Sequence, residues 1–439
     1  MSLEDTIAAV VTPLGKGGVG VVRISGDHSI RISAKLLTPF PMKMRPRHMY
    51  HGWIKNLDEV LYFYMKSPKS YTGEDVIEIS CHGGVAIAKA ILDRAIGAGA
   101  RQAHPGEFTK RAFLNGRMDL VQAEAVLEAI NSKTIRAAEV AAGHLGGRFS
   151  REIKAVREAL INVLAGIEAG IDYPEDDERG RVRKAGSIIK RQLKVIELAI
   201  EGAGYGEILK EGARVVIAGK PNVGKSSLLN RLLQEERALV TERPGTTRDT
   251  IEEPLGIKGI PIRLIDTAGI RRSRDKVELL GINRAKVSIE KADLVIALYD
   301  ASCGRLEKED HELQGLVKGR KVIVALNKSD LGVRLMTKGT LISAKTGKGF
   351  DRLLGLIAKA LLKGMKTEGQ TILSSRQLGC LVKAKQSLQC AVKSIRIKAG
   401  NELVALDIRE AIQALGEMTG IEVSEEVIEK IFAEFCVGK

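Results

Sequence analysis

Gly219-Lys220-Pro221-Asn222-Val223-Gly224-Lys225-Ser226 fits the spacing GxxxxGK[ST]. A loop of this composition does one kind of chemistry. Its glycines let backbone N–H groups close around phosphate oxygens, and the helix that follows adds partial positive charge at its N-terminus. Lys225 is placed to reach β- and γ-phosphates and Ser226 to ligate Mg²⁺, with Asn222, Val223, Gly224 and Ser227 completing the cradle. Downstream, Asp266-Thr267-Ala268-Gly269 offers a carboxylate and a glycine N–H, which suit an Mg²⁺-bound water and a γ-phosphate. Asn327-Lys328-Ser329-Asp330 follows another apolar run. The acceptor-only carboxylate of Asp330 can take the N1–H and N2–H donors of guanine, whereas adenine presents an acceptor there that a carboxylate repels. Asn327 can bond the other edge of the base and the Lys328 stem can cover its ring. Ser343-Ala344-Lys345 is placed to give a backbone N–H to guanine O6. Four such stretches in this order point to GTP rather than ATP.

The loop from Thr241 through Glu242, Arg243, Pro244, Gly245 and Thr246 to Thr247 lies between the phosphate loop and Asp266. Thr247 is the candidate to complete the Mg²⁺ shell. Ras-like enzymes orient the attacking water with a glutamine directly after the aspartate-threonine-alanine-glycine run. Here Ile270 stands at that position, so another polar group must act; Glu278 is a candidate, although a lone glutamate on this pattern more often sits on an exposed helix.

The elements that must hold these residues are legible in outline. Val215 to Ala218, Leu294 to Leu298 and Val322 to Leu326 are continuous apolar runs of strand length with helical stretches between them, as in a parallel sheet covered on both faces. Before them, residues 1–118 mix short apolar runs with Gly and Pro punctuation. Val10-Val11-Thr12, Val19 to Ile24 and Val76 to Ser80 are expected as strands and Val85 to Ile96 as a helix, giving an α+β domain. Residues 119–210 carry helical periodicity (Leu120, Ala123, Val126, Leu127, Ile130; Val156, Leu160, Val163, Leu164, Ile167), with an acidic connection over 172–177. Helical pattern resumes over 369–439, ending on a stripe of Val423, Val427, Ile428, Ile431, Phe432 and Phe435. The fold class expected is therefore multidomain α/β plus α: an N-terminal α+β domain, a helical domain in two parts, and a Ras-like P-loop domain over 211–368 inserted between them.

A chain of 439 residues has room for about three domains. Its net charge of +15 favours a polyanionic partner, while 4% aromatic content argues against an extended base-stacking platform. No apolar run is long enough for a membrane span and the N-terminus has no signal-peptide pattern. The five cysteines are scattered without CxxC spacing, which suits a reducing cytoplasm and offers no zinc site.

The GxPNVGKS loop, the hydrophobic residue after Asp266 to Gly269 and the stretch Gly245-Thr246-Thr247-Arg248-Asp249 resemble the translation-factor-related GTPases that dimerise with K⁺. Asp5 to Ala9 leading to Gly17-Gly18-Val19-Gly20-Val21-Val22-Arg23, Tyr71-Thr72-Gly73-Glu74-Asp75 before His82-Gly83-Gly84, Pro105 to Thr109, and the ending Phe435-Cys436-Val437-Gly438-Lys439 narrow this further. Together they resemble the tRNA-modification GTPase MnmE (TrmE) family from end to end. The resemblance implies a cytoplasmic homodimer whose G domains pair through K⁺ held by Asn222, Thr241, Arg243 and Thr246. It implies Mg²⁺ on Ser226 and Thr247, and Glu278 as the residue that positions water. It implies an N-terminal domain that dimerises and binds 5,10-methylenetetrahydrofolate or 5-formyltetrahydrofolate through Arg23, Glu78, Arg117 and Lys439. Arg117 stands where the family carries lysine. It further implies a heterotetramer with the FAD-carrying flavoprotein MnmG, together adding an aminomethyl or carboxymethylaminomethyl group to C5 of the wobble uridine of certain tRNAs, with a role for Cys436. The alternatives from other classes are a ribosome-assembly GTPase that binds RNA without covalent chemistry, and a folate-dependent enzyme that uses GTP for regulation alone.

Overall fold

The computed structural model describes residues 5–132, 134–172, 178–235, 252–266, 286–362 and 371–439. By contact density the chain divides into two compact units, one of residues 1–127, 144–189 and 386–439, the other of 128–143 and 190–385.

In the first unit a seven-stranded sheet comprises β1 (Ile7–Val10), β2 (Val19–Ser25), β3 (Leu37–Thr38), β4 (Met49–Ile54), β5 (Asp58–Met65), β6 (Val76–His82) and β7 (Arg101–Gln102), in the order β3-β4-β5-β6-β2-β1-β7. All pairs are antiparallel except β1–β7. Alternation sets its faces. Val22, Ile24, Ile77, Ile79 and Tyr62 point into a core closed by helices α1 (Ser29–Leu36) and α2 (Val85–Gly97), while Arg23 and Glu78, opposite each other in the β2–β6 register, point the other way. Each core side chain so buried contributes roughly 1.5–3 kcal/mol. On the Arg23 face, Ile7, Ala9, Ala103 and Phe108 form a smaller cluster with helix α3 (Glu107–Leu114).

The sheet's N-terminal end is tied down by an ionic network. Arg111, 3% exposed, donates to Asp5, Glu74 and Glu107, and Arg101 reaches Asp5 and Glu107. Burial pushes the Asp5 and Glu107 carboxyls up, but their arginine partners more than offset it and hold both below the usual carboxylate range. The expected strand at Val10–Thr12 is displaced: β1 begins at Ile7 and ends at Val10. Pairing continues one residue further through Val11 N–H to the Val21 carbonyl. The Thr12 hydroxyl then accepts the Val21 N–H, taking the ladder's place before Pro13.

Helices α6 (Arg148–Asp172) and α12 (Asn401–Thr419) pack side by side in this unit, with Arg409–Glu168 and Arg157–Glu422 pairs along the contact. Phe432 of helix α13 (Glu425–Ala433) and Phe435 just beyond it pack against Leu120, Ala123 and Val126 on α4 (Leu120–Asn131). The periodic apolar residues of 119–127 and of the final helix therefore meet each other. α5 (Ile135–Leu145), α7 (Glu178–Glu211) and α11 (Ser375–Ile397) are the remaining long helices of the periodic stretches.

The second unit holds a six-stranded sheet: β8 (Ala213–Ala218), β9 (Glu252–Ile257), β10 (Ile260–Asp266), β11 (Leu294–Asp300), β12 (Val322–Asn327) and β13 (Thr340–Leu341), in the order β13-β12-β11-β8-β10-β9. Every neighbouring pair is parallel except the β9–β10 hairpin, whose two turn residues Lys258 and Gly259 both have positive φ, the geometry that matches strand twist. The strand runs are apolar throughout because both faces are covered. Val215 and Ile217 join Ile296 and Leu298 on one side with helices α8 (Lys225–Glu235) and α10 (Phe350–Leu362). Val216 and Ala218 join Val295, Ala297 and Tyr299 on the other with α9 (Lys308–Leu316). From β8 the chain moves to β9 and β10 on one side, then to β11 on the other. The strand order thus reverses beyond the carboxyl end of β8, the place where open α/β sheets bind ligands.

Candidate functional site

The phosphate loop occupies that reversal point, between Ala218 and the start of α8 at Lys225. Its backbone needs the residues it has. Asn222 is left-handed at φ 60° and Gly224 has φ +100°. A Cβ at Gly224 would lie 2.2 Å from the Asn327 amide nitrogen, and one at Gly219 would lie 2.5 Å from the Leu298 carbonyl oxygen. The Lys225 ammonium donates to the carbonyls of Gly219 and Lys220, both at 2.8 Å, which aims it across the mouth of the loop. Ser226 and Ser227 are exposed in the first turn of α8, where the helix dipole adds to phosphate binding.

The base side is built from the ends of β12 and β13. The Asn327 side chain is a brace: its amide donates to the Val223 carbonyl at 2.8 Å and its Oδ1 accepts the Ala344 N–H at 2.9 Å. One buried residue therefore fixes the phosphate loop against the Ser343-Ala344-Lys345 turn. Lys328 is left-handed (φ 63°), which turns Asp330 outward in a short 3₁₀ turn. The Ser343 hydroxyl holds the exposed Asp330 carboxyl below the usual carboxylate range, so it is an acceptor at neutral pH.

Two parts of this site were not singled out in the sequence. The Lys328 ammonium meets Asp300, at the end of β11, at 2.6 Å. Burial pushes the Asp300 carboxyl up, but Lys328 and Ser302 more than offset it. Asp300 closes the run Leu294 to Asp300, and a lone carboxylate ending a fully buried strand was the available signal. Lys220 reaches Glu307 and Asp310, the reciprocal cap of α9, both at 3.1 Å, and so ties the phosphate loop to that helix. Thr241, Glu242, Arg243, Pro244, Gly245, Thr246, Thr247, Thr267, Ala268, Gly269 and Glu278 lie outside the described residues, and of Asp266 the backbone alone, ending β10, is described.

A second constellation lies in the first unit. Arg23 donates to Glu78 at 2.6 Å, and its guanidinium lies 5.1 Å from the Tyr71 ring centroid and 5.3 Å from that of Phe108. The C-terminal tail docks beside it. Gly106 N–H donates to the Cys436 carbonyl, Phe108 N–H to the Lys439 carbonyl at 3.1 Å, Pro105 bridges to Val437, and Arg23 reaches the Gly438 carbonyl at 3.5 Å. Gly438 (φ +97°) passes so close to β1 that a Cβ there would meet the Val10 carbonyl oxygen at 2.7 Å. Burial first, and the nearby Arg23 charge second, hold the Lys439 ammonium below the ordinary lysine pKa, with Glu78 and Cys436 acting the other way. Cys436 itself is exposed. The structure thus brings Arg23, Glu78, Cys436 and Lys439 together. Arg117 stands beyond Tyr71, its Nε donating to the Ser70 carbonyl at 3.1 Å. Among the described residues no group of three or more His, Cys, Asp or Glu could hold a metal ion. The Ser226 hydroxyl beside a phosphate-binding loop nevertheless fits an Mg²⁺ whose other ligands come from nucleotide and water.

A parallel sheet with its phosphate loop at the reversal point and a guanine-directed carboxylate beside it define a P-loop GTPase. The family model described as GTP-binding protein TrmE N-terminus matches residues 6–117, and that described as MnmE helical domain matches 120–436. The tRNA modification GTPase MnmE of Lactobacillus delbrueckii subsp. bulgaricus is 42% identical over 454 residues, covering 99% of this chain and 98% of that one. The protein of the same description from Natranaerobius thermophilus is 42% identical over 457 residues, covering 99% and 100%. The chain belongs to the tRNA modification GTPase MnmE family. Among solved structures, Aquifex aeolicus Era bound to GDP and aluminium fluoride covers 40% of the chain at 30% identity with a TM-score of 0.27, too low to add to the assignment.

Proposed function

We propose that this GTPase works with the flavoprotein MnmG to add an aminomethyl or carboxymethylaminomethyl group to C5 of the wobble uridine of certain tRNAs, drawing one carbon from 5,10-methylenetetrahydrofolate or 5-formyltetrahydrofolate. The observation that carries this reading is the tail docked against Arg23 and Glu78. A switch that only binds RNA, as in ribosome assembly, has no use for a half-buried ion pair, two aromatic rings and an exposed thiol gathered from segments far apart in the chain. Full-length relatives bearing the tRNA modification GTPase description support the same reading.

In this proposal Arg23, Glu78, Arg117 and Lys439 hold the folate. Glu78 offers an acceptor to pterin N–H donors, and the cations face its carboxylates. Cys436, whose carbonyl accepts the Gly106 and Lys439 N–H groups and whose side chain is open to solvent, faces the tRNA base. In the other unit Lys225 neutralises β- and γ-phosphate charge and Ser226 with Thr247 ligates Mg²⁺. Asn222, Thr241, Arg243 and Thr246 hold K⁺, whose charge takes the role of an arginine finger as two G domains pair in a homodimer. Glu278 orients the attacking water. The helical region, which the family model spans from 120 to 436 around the nucleotide-binding sheet, transmits the cycle as a domain interrupted by the G domain.

The test is reconstitution with MnmG, GTP, folate donor and unmodified tRNA, read by nucleoside mass spectrometry. Modified uridine is expected with GTP and none with a non-hydrolysable analogue. Cys436→Ser is expected to abolish modification while leaving GTP turnover within twofold of the parent. Full modification by a folded Cys436→Ser protein would remove the thiol from the reaction.

A further inference from the structure

An open cavity of about 440 Å³ lies on the sheet next to the Arg23–Glu78 pair, with Arg47, Lys69 and Arg117 standing over a floor of Phe63, Met65 and Tyr71. It continues the row that carries that pair: Phe63 is the register partner of Glu78, and Glu78 of Arg23. Tyr71 lines the cavity and lies under the Arg23 guanidinium, so the two places share a wall.

The charges of this cavity differ from the ion pairs that neighbour it. Arg23, Arg101 and Arg111 each meet a carboxylate. Among the described residues Arg47, Lys69 and Arg117 meet none, and no Asp or Glu lines the cavity. Arg47 and Arg117 are instead steered by the backbone: Arg47 donates to the Lys69 carbonyl at 3.5 Å and Arg117 to the Ser70 carbonyl at 3.1 Å. Each guanidinium has five N–H donors, so most remain for a ligand. The loop that delivers Arg47 is itself fixed. Its N–H donates to the Tyr64 carbonyl at 2.7 Å from a left-handed backbone (φ 61°), and the Arg45 N–H donates to the Tyr50 hydroxyl at 2.7 Å. Lys43, Arg45 and Lys66 continue the positive rim in sequence and are exposed.

Several cations without counter-ions over an aromatic and thioether floor suit an amphiphilic oligoanion, one with a flat apolar body and more than one carboxylate. We infer that this cavity and its rim bind the γ-linked oligoglutamyl chain of the folate donor. Arg117 takes the first glutamate, and Arg47 with Lys69 takes the α-carboxylates of the residues added beyond it. The inference rests on the folate reading of the Arg23–Glu78 site and names which chemical form of folate that site selects.

Titration calorimetry of the full-length protein with 5-formyltetrahydrofolate as monoglutamate and as tetra-γ-glutamate tests it. The tetraglutamate is expected to bind about tenfold more tightly at low ionic strength, with the gap shrinking several-fold as salt rises. In Arg47→Gln/Lys69→Gln, two exposed positions, the gap is expected to close while monoglutamate affinity stays within about twofold. Equal affinities in the parent protein, or a gap that survives the double substitution, overturn the inference and leave the folate reading standing. Failure of the monoglutamate itself to bind brings down both. A double variant that keeps the gap but loses affinity for tRNA measured without folate assigns the cations to RNA and overturns the inference as well.

Discussion

Asp330 acts through what it cannot do: an ionised carboxylate accepts hydrogen bonds and donates none. Ser343 draws its pKa lower still, and the left-handed Lys328 two residues before it turns it toward solvent. Asp330→Asn replaces one acceptor by a donor. It is expected to weaken GTP binding by at least a hundredfold, on the order of 3 kcal/mol, and to favour xanthosine triphosphate, whose base accepts where guanine donates. Competitive binding of the two nucleotides is the measurement, and an unchanged preference would sink the assignment. Asp300 stands one step further back, holding the Lys328 ammonium whose stem is proposed to cover the ring. Asp300→Ala is expected to cost about 1 kcal/mol in GDP affinity. A cycle with Lys328→Met should show that the two losses do not add, because the second removes what the first had already released. Additive losses would mean that Asp300 acts elsewhere.

At the scale of elements, the turn between α5 and α6 carries a pH-sensitive seam. His144, in the last turn of α5, is buried and stacks on Phe149 at 5.1 Å between centroids. Burial, with Arg148 adding to it, pushes its imidazole pKa down to about 4. A base whose pKa is lower folded than unfolded binds more protons unfolded. Its contribution is therefore intact above about pH 6.5 and lost as pH falls toward 4, by at most roughly 3 kcal/mol. His144→Phe is expected to flatten that part of the stability curve, measured as urea midpoint from pH 7 to pH 4.5. A steep fall retained in the variant would place the acid sensitivity outside His144, because the Asp5 and Glu107 carboxylates, held below their ordinary range, lose their arginine pairing only below that window. Elements were also where sequence patterns read well: the apolar runs at β8, β11 and β12 had only one way to be buried on both faces. The displaced β1 shows the limit. Ile7-Ala8-Ala9 looks no more strand-like than Val10-Val11, and the choice is made by Arg101 and Arg111 gripping Asp5, a tertiary fact. The nucleotide loops were legible because phosphate and guanine impose residue types at fixed spacing. Asp300, Lys220 with the α9 cap, and the gathering of Arg47 and Lys69 beside Arg117 were not, because side chains brought together from separate strands, loops and helices leave no spacing to read.

For the whole molecule, the proposed pairing of two G domains through a cation would make turnover depend on both salt and concentration. GTP turnover is expected to be at least tenfold faster in K⁺ than in Na⁺ at equal ionic strength, and to fall on dilution below the pairing concentration. Equal rates in both salts would remove Asn222 from a cation site.

The tail contact has a consequence for how the molecule is made. Arg23 and Gly438 are 415 positions apart. At about 5–20 residues per second, the ribosome delivers the second some 20–80 s after the first. For that interval the nascent sheet must wait with the Gly106 and Phe108 amides unanswered and the groove for Phe432 and Phe435 open. A ribosome stalled before α13 would leave the thiol site unbuilt, because Phe432, Phe435 and the Cys436 and Lys439 carbonyls that complete it would be missing.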